Sequence, residues 1–287
     1  MASFDFDQAE GLRRMLAGPR PRVVTFLSAT PEDDKGAMLV NLGASLAQAG
    51  NDVLLVDASL SEYGVAQRLG VVGPTLLQVA RQQCALNEII QQVPQGFALA
   101  SLAREPQGRG RAPAWVPAVA GRDEDEARRL AKAFDVLAQQ SGVILVDGEF
   151  GEAGFALPAL ASSEIVVQVS TSAASITNAY GLIKRLVQAL GRCPIGILVT
   201  GASEAEAKIV YANMASAATR YLAVTLTSMG SVPADEYLQR AARLGRAVVD
   251  AFPLAGASVA FRQLAGRFAL AAMAQEQWQG GGAHFGS

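Results

Sequence analysis

Short apolar runs rich in β-branched residues recur along the chain. They lie at Arg22-Val-Val-Thr-Phe-Leu27, Val53-Leu-Leu-Val56, Phe97-Ala-Leu-Ala100, Val143-Ile-Leu-Val146, Ile165-Val-Val-Gln-Val169, Ile195-Gly-Ile-Leu-Val199 and Val224-Thr-Leu-Thr227. Continuous apolar runs of this length suit strands buried on both faces. Most are separated by helix-length amphipathic stretches. After the first run, Met38, Leu42 and Leu46 fall on one helical stripe, and the pattern stops at Gly50. The alternation predicts an α/β fold: a mostly parallel, doubly wound sheet with helices on both faces, in three α/β/α layers. Segment 104 to 122 interrupts it, with Arg104, Arg109, Arg111 and Arg122 interleaved with Pro and Gly. That composition predicts a long loop with solvated arginines, and Asp123-Glu-Asp-Glu126 then opens a helix against its dipole.

The segment between the first strand and first helix is Ser28-Ala-Thr-Pro-Glu-Asp-Asp-Lys-Gly36. In this position a glycine-rich loop would turn its N–H groups toward phosphates, a lysine would reach the outer phosphates, and a Ser/Thr hydroxyl would hold Mg²⁺. Here Pro31 has no N–H, and Glu32, Asp33 and Asp34 put carboxylates where anions would bind. Gly36 leaves no hydroxyl. A like-charge pair ~4 Å apart at an effective dielectric near 20 costs roughly 4 kcal/mol, and a triphosphate would meet several. Lys35 is then either the remnant of a phosphate-binding lysine or a surface lysine at a helix start. Asp57 and Asp147 each end a buried run, where ligands of such sheets sit. In an ATPase they would order magnesium and the attacking water; otherwise they cap the next helix or bond loop amides.

The chain has 287 residues, 51% hydrophobic, enough for a sizeable core. Its net charge of −2 gives no global field for nucleic acid, and no specific nucleic-acid partner is expected. Cys84 and Cys193 fit no metal or redox spacing and read as simple buried thiols in a reducing compartment. The sole histidine, His284, lies in a Gly-rich tail, so triads and zinc sites that need histidine are set aside and no metal is expected. The start lacks a signal peptide, and no apolar run is long enough to span a bilayer, so a cytoplasmic location is expected.

Other segments carry a family likeness. Asp7-Gln-Ala-Glu-Gly-Leu-Arg13 matches a DQAxxLR helix, and Ser175-Ile-Thr-Asn-Ala-Tyr-Gly-Leu-Ile-Lys184, Ser203-Glu-Ala-Glu-Ala207 and Ala257-Ser-Val-Ala-Phe-Arg-Gln-Leu-Ala265 look like later helices in the right order. With these, the chain resembles the MinD/ParA-type P-loop proteins, and within them the FlhG/FleN-type flagellar-number regulators. The resemblance implies a MinD-like domain over residues 21–274, an N-terminal activator helix and linker over 1–20, and a disordered tail over 275–287.

Position by position, the resemblance carries the family's nucleotide chemistry over poorly. The family loop is KGGxGKT; Thr30 replaces its signature lysine, Lys35 matches the second lysine, and Gly36 stands in place of the magnesium-binding threonine. Ser59 replaces the water-aligning carboxylate and Thr200 the adenine-contacting asparagine. Asp147 and Gly151 match the switch Asp and Gly, without the preceding proline. The leading expectation is therefore a pseudo-ATPase with no resident cofactor; the alternative is a working ATPase using ATP and Mg²⁺ at Lys35, Asp57, Asp147 and Gly151.

The family's N-terminal helix docks on the GTPase FlhF and stimulates it, so the resemblance implies partner-binding roles for Asp7, Gln8, Ala9, Leu12 and Arg13. A flagellar transcription activator and a flagellar switch component are further partners it suggests, while an ATP-dependent homodimer is not expected. Family members also reach the inner membrane or cell pole through a C-terminal amphipathic helix. Here Phe261, Leu264, Phe268 and Ala272 form a stripe beside Arg262 and Arg267, which suits either membrane contact or, as the favoured reading, a last core helix.

Overall fold

The computed structural model describes residues 22–59, 64–103 and 124–280. The activator motif Asp7–Arg13, the arginines of 104 to 122 and His284 lie outside them. Eight strands form one sheet in the order β10-β9-β8-β1-β5-β2-β4-β3. They are β1 (Arg22–Ser28), β2 (Val53–Asp57), β3 (Gln91–Gln92), β4 (Ala98–Ser101), β5 (Val143–Asp147), β8 (Glu164–Val169), β9 (Ile195–Thr200) and β10 (Leu226–Val232). All neighbours pair in parallel except β3 with β4. A separate hairpin joins β6 (Phe150–Gly151) to β7 (Gly154–Phe155).

The helices are α1 (Lys35–Gln48), α2 (Val65–Arg68), α3 (Leu76–Ala80), α4 (Glu124–Gln139), α5 (Ala173–Leu190), α6 (Glu204–Leu222), α7 (Glu236–Arg243), α8 (Val248–Ala251) and α9 (Gly256–Gly280). Strand residues alternate between two cores. Leu54, Val56, Ile144 and Val146 face α3 to α6, while Val53, Leu55, Val143 and Leu145 face α1, α2 and α7 to α9. This is the three-layer doubly wound arrangement, and it puts the C-terminal ends of β1, β2, β5, β8 and β9 along one rim.

The last predicted run is displaced. Val224 follows Ala223, a left-handed residue that ends α6, and the strand begins at Leu226. Its sequence Leu-Thr-Ser-Met-Gly-Ser-Val is largely polar because β10 is an edge, and the register slips between Ser228 and Gly230. Cys84 and Cys193 are half-buried rather than buried, because they pack against the outside of one core instead of inside it. Desolvation raises both thiols above the ordinary cysteine value, with Glu88 adding to it at Cys84.

The C-terminal stripe is turned inward as far as Phe268, and the Ala272 side chain lies outside the described residues. Phe261, Leu264 and Phe268 are buried, and α9 packs along α1. Arg262 and Arg267 donate to the carbonyls of Pro253 and Met229. Helical backbone continues to Gly280, past residue 274. Arg22 fastens the helix from below: its guanidinium makes two 2.7 Å bonds to Glu164, donates to the carbonyl of Phe268 and lies 4.8 Å from that ring's centre. No helix among the described residues is long and apolar enough to cross a membrane. Because Phe261 is 1% exposed, Phe261→Ala should destabilise the fold by about 3–5 kcal/mol in urea unfolding. An unchanged midpoint would show that this face of α9 is not core.

Candidate functional site

The site forms where the rim meets the start of α1. Asp57 and Asp147 end adjacent parallel strands in direct register, so their carboxylates emerge side by side. Lys35 opens α1 and is 9% exposed, not a surface lysine. Its Nζ lies 2.8 Å from Asp147 Oδ1 and donates to the carbonyl of Gly148. Asp147 Oδ2 accepts from the Val65 amide at 3.1 Å, and Asp57 accepts from Ser59 and Ala66 amides at 3.0 and 2.8 Å. Both aspartates thus bond the loop after β2 and the start of α2. Ser59, in the family's carboxylate position, donates to Glu149 at 2.7 Å.

Two neighbouring buried carboxylates with one lysine between them cannot both ionise freely. Burial first, and the Asp147 charge second, push Asp57 up to about 7. Asp147 carries the ion pair. A carboxyl raised above its unfolded value near 3.9 holds its proton more tightly when folded. Its stabilising contribution is full below that value and is lost as pH rises through about 7.

The phosphate-loop segment is closed on itself. Pro31–Asp33 form a single 3₁₀ turn in which the Asp33 amide donates to Thr30 O and the Asp34 amide to Pro31 O. Asp34, at φ 47°, caps α1 by accepting from the Ala37 amide at 3.2 Å and is itself paired with Arg68. The amides of Asp33, Asp34 and Ala37 are therefore occupied by the chain's own oxygens. Asp33 is buried and accepts from Ser175 Oγ, at the start of α5, at 2.9 Å. Gln168 reaches across from β8, donating to Asp33 O and to Thr200 Oγ1.

Lys35, Asp57 and Asp147 are thus brought together. Gly151 is not part of that cluster; it sits in the β6–β7 hairpin and lines a separate cavity of about 530 Å³ with Ser28, Glu149 and Arg185. Thr30 is buried at the N-cap of the 3₁₀ turn, and Gly36 is buried in the first turn of α1. Gln168 and Ser175 escaped the sequence reading of the site, although a glutamine inside the apolar run of β8 is a signal that could have found the first. Asp33 was named only as one of three repelling charges.

A second cavity of about 670 Å³ adjoins the loop, between Asp33, Gln168 and Thr200 on one side and Pro233, Leu238 and Arg243 on the other. Lys35, Asp57 and Asp147, beside the loop, are the residues that would meet a nucleotide and its metal. The residues present fit a nucleotide poorly, because the Asp33, Asp34 and Ala37 amides are taken and the carboxylates of Glu32, Asp33 and Asp34 line the cavity's edge.

Two substitutions test this electrostatic account. Lys35→Met strands the Asp147 carboxylate and should destabilise by roughly 3–5 kcal/mol, read by urea unfolding; a neutral effect would mean the pair contributes nothing to the fold. Asp57→Asn should gain stability relative to the native protein as pH rises from about 4 to about 7, and hold that gain above it. A pH-independent difference would contradict the raised Asp57.

No protein-family model matches the chain. The antiactivator FleN of Pseudomonas aeruginosa is 30% identical over 235 residues, covering 79% of this chain and 78% of that one. Two solved structures share the fold at 18% identity and a TM-score of 0.63 each: MinD of Pyrococcus horikoshii, complexed with Mg-ADP, and a ParA family ATPase from Chlorobium tepidum. They cover 86% and 85% of this chain, and the alignments span 96% and 98% of their own lengths. The relatedness to FleN along most of both chains, on a MinD/ParA scaffold, makes this chain a member of the FlhG/FleN-type branch of the MinD/ParA family.

Proposed function

We propose that this protein regulates flagellar biosynthesis, placement and number as a docking protein whose own ATPase activity is lost. Its partner is the GTPase FlhF, stimulated through the N-terminal helix that carries Asp7, Gln8, Ala9, Leu12 and Arg13. The observation that carries the loss of ATPase activity is the closed loop. Asp33 and Asp34 amides bond within the turn, and the Asp34 carboxylate takes the Ala37 amide that a phosphate would need. Lys35 is committed to Asp147 and Gly148. Residues in the positions of the family's magnesium and water ligands, Gly36 and Ser59, cannot supply that chemistry.

Docking needs none of these groups. An amide such as Gln8 can orient water in a partner's phosphate site, and a guanidinium such as Arg13 can neutralise charge there. The name of the FleN relative, an antiactivator, supports a second contact with a flagellar transcription activator; a flagellar switch component is a further partner on the same reading. Action takes place in the cytoplasm, at the inner membrane or cell pole where the partners gather.

The competing proposal is an active MinD/ParA-type ATPase with a divergent phosphate loop. It draws on the convergence of Lys35, Asp57 and Asp147. The two diverge in a reconstituted GTPase assay with purified FlhF. Deleting residues 1–14, or Gln8→Ala, should abolish stimulation while leaving the fold intact by circular dichroism. An unchanged FlhF rate would reject docking through this helix.

A further inference from the structure

Three of the seven large hydrophobic side chains exposed among the described residues fall between the end of α7 and the start of α9: Leu244 at 60%, Leu254 at 93% and Val259 at 42% exposure. Apolar residues scattered singly over a surface are ordinary. These three are joined by the residues between them. Leu244 caps α7 one turn beyond Arg240. The Arg240 guanidinium lies 4.9 Å from the centre of the Tyr237 ring and 5.3 Å from that of Phe252, two residues before Leu254. Arg262, one turn after Val259, donates to the Pro253 carbonyl at 2.8 Å.

The loop that carries Leu254 is fastened on both sides. Phe252 O accepts from the Ala255 amide at 3.0 Å and from Ser258 Oγ at 2.8 Å, and the Ala257 amide donates to Asp235 at 2.9 Å. With its flanks held and its side chain almost fully exposed, Leu254 stands out from the body of the protein. Leu244, Leu254 and Val259 line neither of the cavities described above. They form a set of apolar tips, not a groove.

Charge sets the same layer apart. Residues 236–268 carry five arginines, Arg240, Arg243, Arg246, Arg262 and Arg267, all exposed, against the carboxylates of Glu236 and Asp250, a net +3 in a chain of net −2. Asp250 is paired with Arg246. Apolar tips flanked by guanidiniums suit a deformable anionic interface, where aliphatic side chains enter the acyl boundary and the cations stay among the headgroups.

We propose that the α7–α9 face meets an anionic phospholipid surface, with Leu244 and Leu254 entering it and Arg240 and Arg262 on the headgroup phosphates. This contact rests on the membrane placement in the proposed function and gives it a surface; Phe261, Leu264 and Phe268 of α9, buried in the core, take no part. An acidic protein partner shares the charge, but tips without a groove give it no pocket to fill, and lipid is the occupant the shape favours.

Co-sedimentation of the full chain with phosphatidylcholine vesicles, with and without phosphatidylglycerol, tests it. Binding should require phosphatidylglycerol and weaken as salt rises. Leu254→Asp, at a side chain with almost no packing to lose, should weaken partitioning about tenfold or more, and Arg240→Gln combined with Arg262→Gln several-fold. Ile209→Asp, equally exposed on α6 at 62%, should leave it unchanged. Anionic binding indifferent to the Leu254 and arginine changes would overturn this surface while leaving the membrane placement standing. No binding to either vesicle would overturn both and leave FlhF stimulation untouched. Unchanged vesicle binding with lost FlhF stimulation in Leu254→Asp would assign the patch to a protein instead.

Discussion

The buried pair between Lys35 and Asp147 is the contact on which the rest of the site depends. It joins the first turn of α1 to the end of β5 with both partners almost out of water. A buried pair is stable only when its remaining polar atoms are also met. Gly148 O accepts a further ammonium proton, and the Val65 amide donates to the second Asp147 oxygen. Asp57, next in register, is left without a cation of its own and holds its proton up to about pH 7. One lysine therefore ties α1 to the end of β5, and the two aspartates beside it hold the segment from Ser59 to the start of α2.

The same pairing is one of several contacts in which the chain meets its own charges at this rim. A MinD-like scaffold leaves a helix N-terminus, a lysine and two strand-end carboxylates pointing at one place, an arrangement that calls for an anion and a metal. In this chain the anion is supplied from within. Asp34 caps α1, Asp33 is bonded by Ser175, and Asp147 neutralises the lysine. Gly36 carries no hydroxyl and Ser59 no carboxylate at the two positions where the resemblance places a metal ligand and a water ligand.

Much of the scaffold was legible because central parallel strands are apolar on both faces. β1, β2, β5, β8 and β9 appear in the sequence as uninterrupted runs, and Asp57 and Asp147 were found because each closes one. β10 hid for the opposite reason: an edge strand with a bulge at Gly230 has no need of an apolar run. The two-residue β3 and the β6–β7 hairpin are too short for any period to show. Within the site, the charge at Asp33 was visible, but its role was not, since its hydroxyl partner lies 142 residues away on α5. Lys35 could be read as surface or phosphate-binding; only the geometry shows it to be buried against Asp147.

The central claim is that the chain's own carboxylates occupy the place of a nucleotide's phosphates. Calorimetric titration of Mg-ATP into the purified full-length protein at neutral pH tests it most directly. The account predicts no saturable heat at millimolar nucleotide. Micromolar binding that is lost in Lys35→Met variants shown to be folded would contradict it and return the protein to the working ATPases of its family.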